Sequence, residues 1–327
     1  MGSIMNVGIV GCGLIGKKRA LALGRHNLLL AIDCDIKRAK AVAVLKNQTK
    51  VSTDFNDAIQ DPRIDIVIVS TTNDQLAPIS LLAAKAGKHI LVEKPAAMNS
   101  KEIEGVIKAA KKNKVMVKIG FNLRYHPALM KAREIVDSGK IGELMFVRGR
   151  YGHGGRIGYD KEWRANPQIS GGGELIDQGV HLIDLSRWFL GDFVFVEGFS
   201  HTYFWDMPVD DNAFLSLRTK NEQIAWLHVS CTEWKNMFSL EIYGKLGKIQ
   251  IDGLGGSYGT EKLTYYQMFP QMGPPKTASW EYPGDDNSWT NEFEDFVAAI
   301  EKNRPLCGDL KDAYEVLKIV DKIYGRI

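Results

Sequence analysis

A doubly wound parallel α/β sheet, followed by an α+β half with a large, mostly antiparallel open sheet, is the fold class this sequence predicts. Three observations carry that reading. The first third alternates short apolar runs with helical stretches, the pattern of parallel βαβ units covered by helices on both faces. The run Ile66-Val67-Ile68-Val69 is apolar at every position rather than at every second one, as expected of a strand buried on both sides. Past about Gly120 the texture changes to longer strands rich in aromatic and β-branched residues.

Taken in order, strands are expected near 7–10, 28–32, 64–70, 89–92 and 115–119, with helices near 15–23, 76–86 and 101–111 between them. A helix near 127–137 then leads to a strand near 144–151 and a loop rich in glycine and arginine. A helix over 174–190 follows, then strands near 194–203, 213–218, 223–231, 238–243 and 248–251. Helices near 292–302 and 312–324 close the chain, and no internal repeat or low-complexity segment is visible.

At 327 residues, 45% hydrophobic and 25% charged, the chain buries a substantial core and has the length of about two domains. Its 42 basic and 39 acidic side chains are interspersed and leave a formal charge of +3, so no basic face for nucleic acid is expected. The longest apolar runs, at 64–69 and 90–92, fall far below the roughly 20 residues that span a bilayer, and no secretory leader is visible. Cys12, Cys34, Cys231 and Cys307 are widely spread without paired ligand spacing, which points to a reduced cytoplasmic protein with no metal site.

Gly11-Cys12-Gly13-Leu14-Ile15-Gly16 follows a strand and opens a helix, so its glycines make a tight turn and let a pyrophosphate approach the helix N-terminus. The next strand ends in Asp33, 20 residues after Gly13, where a carboxylate reaches ribose hydroxyls. An acid there repels a 2′-phosphate, so NAD rather than NADP is the expected cofactor. Residues 1–121 are thus expected to form a Rossmann-type dinucleotide-binding domain, and 122–327 an α+β domain for substrate binding and oligomerisation.

Glu93-Lys94-Pro95 ends a parallel strand, where ligands bind in open α/β sheets. Lys94 can order a hydroxyl or carbonyl oxygen and lower the pKa of a neighbouring base, although its position alone fits a surface lysine equally well. Further on, Asp177, His181 and Asp184 lie four and seven apart, one polar stripe on a helix whose other residues are nearly all apolar, among them Leu175, Ile176, Val180, Leu182 and Ile183. A buried stripe needs partners within the core or a wet cleft, and both readings stay open on this segment alone.

With these segments in this order, the chain resembles the glucose-fructose oxidoreductase and inositol dehydrogenase (Gfo/Idh/MocA) family over essentially its full length. The resemblance rests on the glycine run, Asp33, Glu93-Lys94-Pro95, Gly120-Phe121-Asn122-Leu123-Arg124-Tyr125-His126-Pro127 and the glycine-rich helix from Asp177 to His181. It implies a catalytic group of Lys94, Asp177 and His181, with His181 as general base and Asp177 orienting its imidazole. It also implies Thr71, Asn73, Glu93, Lys94 and Asn122 as further cofactor contacts, with Asn122 and Arg124 near the nicotinamide end of the cleft. Trp163-Arg164 resembles a pair that some members use beside cofactor and substrate. Many members carry a histidine where this chain has Leu76, which puts in doubt only contacts made by that side chain.

Tyr151, Arg156, Trp163 and Arg164 offer donors and aromatic faces to a hydroxylated ring, while the two arginines suit a phosphate or carboxylate equally. The expected partner is therefore a sugar, an inositol or other polyol, or a nucleotide-activated sugar. The family also implies a homodimer or homotetramer formed on the open face of the second sheet, with Tyr203, Phe204, Trp205, Trp226 and Trp234 as candidate interface residues. Two other readings accompany the dehydrogenase: an NAD-dependent glycosidase of the same family, and a non-catalytic NAD-binding regulator.

Overall fold

In the computed structural model, which describes residues 2–327, the glycine run links β1 (Asn6–Val10) to α1 (Leu14–Leu21), as the sequence predicts. β2 (Asn27–Ile32), α2 (Ile36–Ala43), β3 (Lys50–Ser52), α3 (Asn56–Gln60), β4 (Ile66–Val69), α4 (Asn73–Lys85), β5 (His89–Glu93), α5 (Ser100–Asn113) and β6 (Val117–Gly120) complete an alternating series. All six strands are parallel, in the order β3-β2-β1-β4-β5-β6. The order reverses between β1 and β4, and the strand ends at such a switch point are where α/β sheets bind ligands. The glycine run, Asp33, Thr71 and Lys94 all follow or end these strands at that edge.

The remainder opens with α6 (Pro127–Asp137) and β7 (Leu144–Gly152), passes a one-turn helix α7 (Pro167–Ser170), and reaches a π-helical turn, Leu175–Gly179, that runs into α8 (Val180–Leu190). Then come β8 (Phe193–His201), β9 (Asn212–Thr219), β10 (Ile224–Ser230), β11 (Met237–Gly244), β12 (Gly247–Asp252), β13 (Glu261–Gln267) and β14 (Lys276–Tyr282), and finally α9 (Ser288–Lys302) and α10 (Leu310–Ile323). These strands form an eight-stranded sheet ordered β14-β13-β12-β11-β7-β10-β9-β8, antiparallel except for the parallel pair β7 and β10. Its inner face buries Val147, Leu215, Leu217, Leu227, Val229, Leu240 and Ile242. α8 seats closely on that face, since a Cβ at Gly149 would lie 3.2 Å from Leu182.

The chain separates into two compact units, and the separation is not the single cut at 121/122 that the sequence predicts. Residues 168–171 and 289–317 belong with 2–122 in the first unit. The reason is apolar burial: Phe293, Phe296 and Val297 of α9 share one core with Val7, Ile9, Leu23 and Leu28. β3 and α3 escape sequence reading because three and five residues are too short to show a period. β14 escapes because Lys276, Thr277, Ser279 and Glu281 dilute its apolar alternation.

On the outer face of the second sheet, Glu241 of β11 faces Arg148 of β7 in register. Its carboxylate accepts Arg148 Nε at 2.5 Å and the Tyr243 hydroxyl at 3.0 Å, and also binds the Lys248 ammonium. Burial alone would raise the Glu241 pKa, but these donors outweigh it and hold the group down at about 2. Because the folded value lies below the ordinary 4.5, the stabilisation is fully present above 4.5 and is lost as the pH falls toward 2. Urea melts of wild type and Glu241→Gln should therefore converge over that interval and differ most near neutrality.

Candidate active site

In the first unit, the glycine run is shaped by close backbone approach. Gly11 has φ +95°, and a Cβ there would stand 2.5 Å from the Ser70 carbonyl. A Cβ at Gly16 would stand 2.0 Å from the Gly11 carbonyl oxygen, so α1 begins almost on top of β1. Around Gly13, by contrast, a Cβ would meet nothing within 4 Å, which leaves the start of α1 clear for an anion. Asp33 directly follows β2, with Oδ2 accepting Cys12 N–H at 2.8 Å and Oδ1 accepting Asp35 N–H at 2.9 Å. A clear helix start beside a fixed carboxylate fits a dinucleotide, the loop being the place for a pyrophosphate and Asp33 for a ribose. Cys12 is a filler: its thiol donates to the Ile32 carbonyl, and burial first, then Asp33, push its pKa up to about 12.

Thr71 is half-buried just past β4, and the buried Asn73 amide donates to the Ser170 carbonyl at 2.8 Å. Leu76, at the place of the family's histidine, is fully buried in α4. Glu93 belongs to a buried ion cluster. Arg19 Nε donates to it at 2.6 Å while Arg19 Nη1 donates to Glu292 of α9 at 2.7 Å, and Lys118 lies 3.6 Å from Glu292. Two carboxylates flank the Arg19 guanidinium and, despite its burial, hold it charged; the Trp289 ring stacks on it at 4.5 Å. This cluster fixes the end of β5, from which the half-buried Lys94 extends the chain. Asn122 is buried directly after β6.

In the second unit, the stripe predicted on one regular helix is split by the π-helical turn, and its three members have different neighbours. Asp177, on the π turn, accepts Arg164 Nε at 2.9 Å, and Arg164 in turn stacks on Trp163 at 4.6 Å. Asp177 first, with Tyr159 and Glu162, holds the Arg164 guanidinium charged against burial. His181 is 5% exposed and meets the Tyr151 ring edge-on at 6.0 Å. Asp184 accepts both Nε and Nη2 of Arg124, at 2.8 and 2.6 Å. Arg156, expected at the substrate, is exposed on its loop and pairs with Glu162 at 2.6 Å.

The π turn starts where it does because its N-terminus is tied down. Asp210 takes the N–H groups of Gly173 and Leu175 at 3.0 and 2.8 Å and the Tyr324 hydroxyl at 2.6 Å. A Cβ at Gly173 would stand 1.9 Å from the Asp210 carbonyl, so only glycine allows the approach.

Residues 5–121 match the model described as the oxidoreductase family with an NAD-binding Rossmann fold, and residues 129–250 match the GFO/IDH/MocA C-terminal domain. The chain belongs to the Gfo/Idh/MocA family. As a member it is an NAD-binding oxidoreductase. It is 28% identical to levoglucosan dehydrogenase of Pseudarthrobacter phenanthrenivorans, across 98% of this chain and 95% of that one. It is 31% identical to inositol 2-dehydrogenase of Salmonella typhimurium, over 58% of this chain and 55% of that enzyme. Levoglucosan dehydrogenase in complex with NADH and levoglucosan has the same fold, with a TM-score of 0.90 at 24% identity over 99% of this chain and 96% of that one. An NAD binding oxidoreductase from Klebsiella pneumoniae does too, at 0.87 and 20% over 99% and 98%.

Within this Gfo/Idh/MocA member, the segment from Gly120 to Pro127 is held by structural pairings as much as by chemistry. Arg124 is engaged by Asp184, His126 Nδ1 lies 2.9 Å from Glu261, and Glu261 also accepts Ala128 N–H at 2.6 Å at the start of α6. Sequence reasoning missed Asp210, Tyr324 and Glu174, the last fully buried 3.5 Å from His153. The doublet Asp210-Asp211, placed between two strongly apolar strands, is the signal that points to buried carboxylates there. Among the described residues, no cluster of three His, Cys, Asp or Glu side chains suits a metal ion, and no helix is long and apolar enough to cross a membrane.

Within the cofactor site, replacing Asp33 should change nucleotide choice. Wild type is expected to bind NAD more tightly than NADP by on the order of 1–3 kcal/mol, through ribose hydrogen bonds and repulsion of a 2′-phosphate. Asp33→Ala should narrow that gap. Fluorescence titration with NADH and NADPH checks it, and equal affinities in wild type would remove Asp33 from the site.

Proposed function

We propose that this protein is an NAD-dependent dehydrogenase that interconverts a CH–OH carbon and a carbonyl on a sugar, an inositol or a nucleotide-activated sugar, with Lys94, Asp177 and His181 as its catalytic group. The observation that carries the reading is His181: a buried imidazole set against the Tyr151 phenol ring, one helical turn beyond an aspartate locked to Arg164. Such an imidazole is placed to take a proton from a hydroxyl. In this reading His181 removes the hydroxyl proton and Lys94 donates a hydrogen bond to the same oxygen as it becomes a carbonyl. Asp177, restrained by Arg164, supplies the negative charge that favours the imidazolium. NAD supplies the acceptor for the hydride that leaves the carbon. The aromatic and charged set of Tyr151, Trp163 and Arg164 supports a polyhydroxylated ring as substrate, and the activities named for the two relatives point the same way. Initial rates of NAD reduction across inositols, free and anhydro sugars and nucleotide sugars test it. No reduction with any member of that panel, and no oxidation of NADH by the matching ketones, would refute it.

Homo-oligomerisation is part of the same proposal. By register, Phe146, Ile224, Trp226, Phe195 and Phe199 lie on the outer face of the second sheet. Trp226 and Phe199 are 60% and 59% exposed there, an apolar surface of the kind a second copy covers. Tyr203, Phe204 and Trp234 are exposed as well rather than buried in a sheet core. Sedimentation analysis of wild type against Trp226→Glu reads the assembly directly.

A further inference from the structure

No sequence motif points to Tyr258, yet the second unit builds a loop around it. The run Gly253-Leu254-Gly255-Gly256-Ser257-Tyr258-Gly259 joins β12 to β13. Gly253 N–H donates to the Phe238 carbonyl at 3.0 Å, Gly255 N–H donates to the Gly259 carbonyl at 2.9 Å, and the Asn236 amide donates to Ser257 Oγ at 2.7 Å. The loop is thus rooted on β11 and closed on itself. At Gly255 and Gly259 φ is +78° and +83°, while a Cβ at either would meet nothing within 4 Å, so backbone shape rather than space calls for glycine.

That shape sets the Tyr258 ring 5.6 Å from Tyr151, the ring that His181 meets edge-on. Burial first, then the Glu174 and Asp177 carboxylates, push the Tyr258 phenol up to about 12 against the opposing pull of the neighbouring Tyr151 hydroxyl. Tyr258 is therefore a neutral, half-buried phenol whose hydroxyl proton can be donated to a ligand.

We propose that Tyr258 is a specificity-determining residue, which donates a hydrogen bond to a substrate hydroxyl or ring oxygen near the carbon served by His181 and is held in place by Tyr151. The inference rests on the dehydrogenase reading above. A site built to pair one hydroxyl rejects an analogue that lacks it, because the donor is left unmatched. The test measures NAD reduction by wild type, Tyr258→Phe and Tyr258→His with inositol, levoglucosan, glucose and their monodeoxy derivatives. For the substrate that wild type prefers, Tyr258→Phe should raise KM by about 3- to 10-fold, the worth of one neutral hydrogen bond, with kcat within about twofold. Discrimination against one monodeoxy derivative should collapse toward unity, and Tyr258→His, which keeps a ring and a donor, should restore part of it. NADH affinity and melting temperature should not change. Unaltered KM and unaltered discrimination in Tyr258→Phe would overturn the inference while leaving the dehydrogenase reading intact. Failure of wild type with the whole panel would instead overturn the dehydrogenase reading, and this inference with it.

Discussion

His181→Ala should lower turnover by about 10² to 10⁴ while leaving NADH affinity nearly unchanged, because a general base contributes proton transfer and not cofactor binding. The side chain is 5% exposed, so its removal also opens a small cavity under Tyr151. His181→Gln separates the two effects: it keeps a polar group of similar reach but cannot accept and hold a proton near neutrality. Both variants should show the same loss per folded molecule, and only alanine should lower the melting temperature. Asp177→Asn removes the charge that favours the imidazolium and also breaks the ion pair with Arg164, so it should depress turnover as well. Lys94→Ala should be severe, and the three losses should not add, since members of one catalytic unit fail together. A glutamine variant with near-normal turnover would show that His181 is a core contact only.

The positions of the glycine loop, Asp33 and the strand-end lysine could be read from sequence because their signals are local. Each depends on a turn or strand end whose signal lies within a few residues. What the sequence hid is long-range. Glu93 is bonded to Arg19, 74 residues away, and Arg19 to Glu292, 273 residues away. Nothing near Glu93 reveals that its carboxylate is held by an arginine of α1, which is itself tied to a helix from the far end of the chain. The same holds for α9, whose Phe293, Phe296 and Val297 have ordinary amphipathic spacing and carry no mark of which unit they will join. Asp177, His181 and Asp184 were legible as a polar stripe. Their separate engagements were not, because the π turn that splits them is set by Asp210 and Tyr324 rather than by residues of the helix itself.

Breaking the pair between Arg124 and Asp184 should be the costliest single change to stability in the second unit. The guanidinium is 5% exposed and the carboxylate 1%, and they meet through two hydrogen bonds of 2.8 and 2.6 Å with the Trp188 ring 5.7 Å from the guanidinium. Removing one partner takes away the two hydrogen bonds that compensate a buried charge, and such losses run to about 3–5 kcal/mol. Asp184→Ala is therefore expected to lower the unfolding free energy by that amount, as read from urea melts. Arg124→Met combined with Asp184→Leu should recover much of the loss, because replacing both partners by apolar groups of similar volume avoids the buried charge. The same variants decide what Arg124 does. If its guanidinium plays no part at the substrate, the double variant should keep KM and turnover per folded molecule close to wild type. If Arg124 also reaches the substrate, as the family resemblance implies, the double variant should regain stability and still show a raised KM. Arg124→Lys adds a check, since an ammonium keeps the charge but cannot span both oxygens of Asp184 in the same fork. Stability should then fall by less than in Asp184→Ala, and any accompanying change in KM would report on the substrate alone.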